Sequence, residues 1–206
     1  KGEADNAIQA SLAFILEYPN DLWTLHAAKS VLRLLILDHN EISNRDFYTL
    51  GIRVLTELQD EELASEQYLS LVYQTSMAGY ELGIEENKEF SEVGMEALRI
   101  ARLLIDAYPK TNRILELNAM LEQTFGDQSL ALSHWRAVSS GNSKGGDQWL
   151  QARYNLMQLL STTDLIGALA LLDQHELLYP NYGAEPYGSK LRTLHAQLKG
   201  GADGLE

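Results

Sequence analysis

The chain has 206 residues, 45% of them hydrophobic, with 29 acidic and 16 basic side chains, a formal net charge of −13 and no cysteine. This is the composition of a folded protein large enough for one sizeable core or a stack of small units. It excludes disulfides, thiolate chemistry and cysteine-bound metals, and its negative balance without any Lys/Arg cluster argues against nucleic acid and anionic lipid and for a basic protein or peptide as partner.

Between breakers, apolar residues recur at helical spacing, and nowhere do they alternate with the period of a strand. The pattern predicts an all-α fold with no sheet and about ten helices, over residues 4–17, 21–38, 43–59, 61–83, 88–107, 112–124, 127–139, 147–161, 163–178 and 184–199. The greasiest run, VLRLLIL at 31–37, contains Arg33 and is far shorter than the about 20 apolar residues of a membrane-spanning helix, so no membrane insertion is expected. Asn20 or Asp21, Ser43, Asp127, Asp147 and Thr163 stand where a short oxygen-bearing side chain caps the following helix. Ser43 with Asp46 three residues on is a relative of the capping box. Gly83, Gly126 and Gly141 follow apolar-periodic runs, as left-handed helix-ending residues do. Connections of two to six residues predict antiparallel helix hairpins.

Of the four prolines, Pro19, Pro109 and Pro180 directly follow tyrosines, and each has an alanine twelve residues upstream: Ala7, Ala97 and Ala168. The segments read AIQASLAFILEYP, ALRIARLLIDAYP and ALALLDQHELLYP. A small residue early in a helix admits a neighbouring helix, tyrosine closes the apolar face with a wettable hydroxyl, and proline stops the helix.

This combination resembles the second helix of the tetratricopeptide repeat, a two-helix unit of about 34 residues. Further likeness lies in FGDQSLALSHW, where Gly126-Asp127 matches the turn between helices, Ala131 the second-helix alanine and Trp135 the aromatic four residues later. ARYNLMQLL, from Ala152 to Leu160, is similar to the first-helix Tyr-Asn-Leu stretch, with Met157 where the family has a small residue. The resemblance covers residues 89–199 and the first predicted helix. It implies an α-solenoid of antiparallel hairpins: a leading orphan helix, four hairpins, and the helix over 184–199 as a polar-faced cap. One domain is expected over 1–199, a piece of a longer chain, with 200–206 a disordered tail or cloning remnant.

No catalytic constellation is found. GNSKG at 141–145 fits G-x-S-x-G, but that chemistry needs a strand before the serine, and a helix precedes it here; the loop reads as a flexible connector. His26, His39, His134, His175 and His195 share no metal-ligand spacing, and the carboxylates at 59–63 and 84–92 read as helix-start and solubilising charges.

The resemblance also implies that the first helix of each hairpin lines a concave groove. Transferring its i, i+3, i+7, i+10 stripe gives Trp23, His26, Ser30 and Arg33; Arg113, Glu116, Met120 and Gln123; and Gln151, Tyr154, Gln158 and Ser161. Tyr182 and Tyr187 are further aromatic candidates for a ligand surface. The expected function is a non-enzymatic interaction scaffold that binds a peptide or partner surface in this groove, with no cofactor and no metal. The alternatives are a structural spacer that positions other domains, and an all-α enzyme or ligand carrier.

Overall fold

The computed structural model describes residues 43–57, 66–86 and 91–202, with single positions between Ala10 and Ser30. Among the described residues every regular element is helical: α1 (Asn44–Glu57), α2 (Glu66–Glu86), α3 (Glu92–Ala107), α4 (Asn112–Phe125), α5 (Gln128–Gly141), α6 (Asp147–Thr163), α7 (Leu165–Leu178) and α8 (Tyr187–Ala202). The helices predicted over 4–17 and 21–38 lie outside the described residues apart from those single positions, as do Ala7, Pro19 and Arg33. The chain divides into two compact units, Lys1–Leu104 and Ile105–Glu206.

In the first unit Ser43 opens α1. Its Oγ accepts the Asp46 amide at 3.2 Å, the expected N-cap bond, and donates to the Asp46 carboxylate at 2.7 Å. Ser91 does the same for α3, accepting the Gly94 amide at 3.1 Å. The three helices meet at residues without bulk. A Cβ built on Gly79 of α2 would stand 2.7 Å from the Ala97 Cβ of α3 and 2.8 Å from the Tyr48 ring of α1. Tyr48 reaches across to donate to the Val93 carbonyl at 3.4 Å, and burial, aided by the charge of Glu96, pushes its phenol up to about 12.

Gly83 does not end α2. It is buried inside the helix, which runs on to Glu86. An interior glycine costs a helix about 1 kcal/mol, an amount that packing against a neighbour offsets.

In the second unit α4 and α5 are joined by Gly126 and Asp127 alone. Asp127 Oδ1 accepts the amides of Ser129 and Leu130 at 2.6 and 3.3 Å, while buried Glu122 accepts the Asp127 amide at 2.9 Å. The turn is therefore pinned from both helices. Gly126 sits at φ −136°, not left-handed, and Gly141 is the last residue of α5; the left-handed glycines are Gly145 and Gly183, in the loops that feed α6 and α8. Two caps also move by one residue. Gly146 caps α6, leaving Asp147 in its first turn, and Asp164 rather than Thr163 caps α7 by accepting the Gly167 amide at 2.9 Å.

Helices α3 and α7 end at Ala107 and Leu178, directly before Tyr108-Pro109 and Tyr179-Pro180, as the tyrosine-proline spacing predicts. The upstream alanines Ala97 and Ala168, and Ala131 in α5, have no exposed surface. Here α4 packs on α5, α5 on α6, α6 on α7, and α8 on both α6 and α7. One apolar cluster gathers Leu115, Ala119, Ala131, Trp135, Leu156 and Ala168 from α4 to α7. A second joins α6 to α8 through Leu150, Met157, Leu172 and Leu191. Met157, fully buried, fills this second cluster with a flexible chain.

Gly79→Val drives a branched side chain into Ala97 and Tyr48, and is expected to lower unfolding stability by about 1–3 kcal/mol. Gly200→Ala, with nothing within 4 Å of the added carbon, should leave stability unchanged or raise it. Thermal denaturation followed by helical circular dichroism checks both.

Candidate functional site

The early turns of α4, α6 and α8 bring four of the expected groove residues together. Half-buried Glu116 on α4 approaches the Gln151 side chain on α6, with exposed Arg113 one turn away on its own helix. One turn further along α6, the Tyr154 ring lies 6.2 Å from that of Tyr187 at the start of α8. Lys190 extends over both rings, its Nζ 5.6 Å from the Tyr154 centroid and 5.0 Å from the Tyr187 centroid, close enough for cation–π attraction. The result is a strip running Arg113, Glu116, Gln151, Tyr154, Tyr187, Lys190.

The strip is electrostatically mixed. Burial raises the Glu116 carboxyl above its ordinary range, against the lowering effects of the Gln151 hydrogen bond and the Arg113 charge. Burial also raises the Tyr187 phenol, reinforced by the charges of Glu116 and Asp147. Glu116 in the second turn of α4 and Asp147 at the start of α6 thus place two carboxylates near the Tyr187 ring.

The remaining expected residues do other things. Gln123 accepts the Trp135 indole N–H at 2.9 Å and so closes the α4–α5 hairpin. Met120 is half-buried against the apolar core, and the Ser161 hydroxyl donates to the carbonyl of exposed Gln158 at 2.7 Å. Trp23 is 69% exposed with its ring 5.8 Å from that of His26, and Ser30 is exposed; they belong to the first unit. Tyr182 is not a surface aromatic. It is buried under α8, between His195 and the Arg192 guanidinium. Tyr179 of the last tyrosine-proline pair likewise packs, 5.4 Å from Trp149 and 5.1 Å from His175.

A second polar constellation lies at α7 and α8 and could not be found from spacing in the sequence. Asp173 and Glu176 project from one face of α7 toward His195 and Lys199 on α8. His195, 2% exposed, has Nε2 3.1 Å from Asp173 Oδ1 and Nδ1 2.8 Å from the Tyr182 hydroxyl. Lys199 Nζ stands 2.9 Å from Asp173 and 3.7 Å from Glu176. The Lys199 hydrogen bond holds the Asp173 carboxyl below its usual range, and the same bond raises the Lys199 ammonium.

No protein-family model matches the chain, and no curated protein or solved structure matches it significantly. The chain's own residues therefore carry the functional reading. The GNSKG loop has no strand before it among the described residues, and Ser143 is simply exposed between α5 and α6.

Because the folded state raises the Glu116 pKa, its ionised form opposes folding above the carboxylate range and is neutral below it. Glu116→Gln keeps a partner for Gln151 and removes that opposition. The expected result is a higher thermal midpoint at neutral pH, with the gain fading in acid well below the carboxylate range. A gain that is equal at both pH values would disprove the burial penalty.

Proposed function

We propose that this chain is a non-enzymatic binding module of tetratricopeptide-like hairpins, arranged as a solenoid, whose strip along α4, α6 and α8 takes an extended basic peptide. The observation that carries this reading is the contact of alternate helices. Glu116 meets Gln151, and Tyr154 meets Tyr187, so side chains on α4, α6 and α8 form one surface while α5 and α7 supply the packing behind it. In a stack of hairpins the first helices line one face, and α4, α6 and α8 hold those places.

The chemistry of the strip selects the ligand class. Glu116 and Asp147 attract cationic side chains, and the Tyr154 and Tyr187 faces give stacking area at low conformational cost. The surplus of 29 acidic over 16 basic residues adds long-range attraction for the same ligand. Gln151 can hydrogen-bond a peptide backbone. Ligand binding here is contact without bond rearrangement, so the strip calls for no nucleophile or general base.

Selection from a displayed random-peptide library against the whole chain tests the assignment. Enriched sequences should be rich in Arg or Lys beside an aromatic or apolar residue. They should lose about tenfold or more in affinity against Tyr154→Ala/Tyr187→Ala, since anchor truncation costs on the order of 2 kcal/mol. Binding should also weaken with added salt. Peptides that bind parent and double variant alike, with helicity unchanged, would sink the strip as the binding surface.

A further inference from the structure

We infer that Asp173, Glu176 and His195 form a binding site for a divalent transition-metal ion of the Zn²⁺ type. This inference is independent of the peptide-binding strip. Asp173 and Glu176, three residues apart on α7, share a face of that helix. His195 arrives from α8, 22 residues along the chain from Asp173. One ligand atom from each of the three lies within 4.8 Å of the others. Zn²⁺ holds such ligands at about 2.0–2.2 Å, which puts them at most about 4.4 Å apart. The small contraction needed is a side-chain rotation, and both carboxylates are exposed and free to make it.

The imidazole is oriented for this role. The Tyr182 hydroxyl lies 2.8 Å from His195 Nδ1 and engages that nitrogen. This leaves Nε2 as the ring nitrogen that faces Asp173, 3.1 Å from its Oδ1. Metal-binding histidines are held in the same way, by a hydrogen bond on the nitrogen that does not meet the metal.

Lys199 marks the spot. Its ammonium sits 2.9 Å from Asp173 and 3.7 Å from Glu176, where the negative potential converges. It is half-exposed on a flexible stem and can swing into water, so ammonium and metal are competitors for one position. A nitrogen ligand beside two carboxylates selects Zn²⁺ or its transition-metal neighbours over Mg²⁺, which prefers oxygen alone.

Titration calorimetry on the whole chain, with Zn²⁺ and separately with Mg²⁺, tests the site. Saturable uptake of one Zn²⁺ is expected, with Mg²⁺ far weaker. Asp173→Asn and Glu176→Gln change exposed atoms, so helicity should hold while Zn²⁺ affinity falls at least about tenfold, the loss typical even for residues one step outside a metal's ligands. Lys199→Ala should tighten Zn²⁺ binding by removing the competitor. Absence of saturable Zn²⁺ uptake, equal uptake of Mg²⁺, or an affinity left unchanged by the carboxylate variants or by Lys199→Ala overturns the assignment.

Discussion

Close approach of helix backbones is the constraint from which the rest follows. Helix axes separate by 8–10 Å according to the side chains at the crossing, and the smallest side chains allow the shortest distance. Gly79, Ala97, Ala131 and Ala168 occupy such crossings with no exposed surface at the three alanines. A leucine at any of them would force about 1–3 kcal/mol of strain or push two helices apart. The second outcome matters more for function. Glu116 and Gln151 stand on different helices, and their approach depends on how closely those helices come together.

Large and small residues divide the work along α5. Ala131 lets a neighbour in, and Trp135, one turn later, fills the space beyond with a fully buried indole whose N–H finds Gln123. Burying that ring without the Gln123 acceptor would leave a donor unsatisfied. A residue expected in the groove thus serves the core instead. Its position on the groove stripe was legible from period alone, but its partner was not. The indole sits 12 residues away, and only the angle of the hairpin brings the two together.

The sequence was most informative where a feature is local. Caps at Ser43 and Asp127, and stops before Tyr108-Pro109 and Tyr179-Pro180, depend on hydrogen bonds and backbone restrictions within a few residues. Gly83 misled because glycine ends a helix only if no tertiary packing repays its continuation, and burial there does. Tyr182 misled for a related reason. It was expected on a ligand surface, yet the left-handed turn at Tyr182 and Gly183 folds the ring beneath α8. Lys190 and the Asp173–His195 pairing were invisible because each depends on how α8 lies across α6 and α7, a relation that no spacing along the chain encodes.

That helix also separates the two proposed activities by angle. Successive residues turn by about 100°, so Lys190 and Lys199, nine apart, point in opposite directions from the axis. Between them Leu191, Leu194 and Leu198 face α6 and α7 and hold the helix down. Lys190 is committed to tyrosine faces on one flank, and His195 and Lys199 to carboxylates of α7 on the other. A half-turn rotation of α8 would bury both lysines' surroundings wrongly and expose the leucines, so the apolar stripe fixes both flanks at once. Surroundings then tune the carboxylates differently: on the strip burial raises the Glu116 carboxyl, while on the opposite flank the Lys199 hydrogen bond holds the Asp173 carboxyl low. The same side-chain type is thus tuned by burial on one flank and by a neighbouring ammonium on the other.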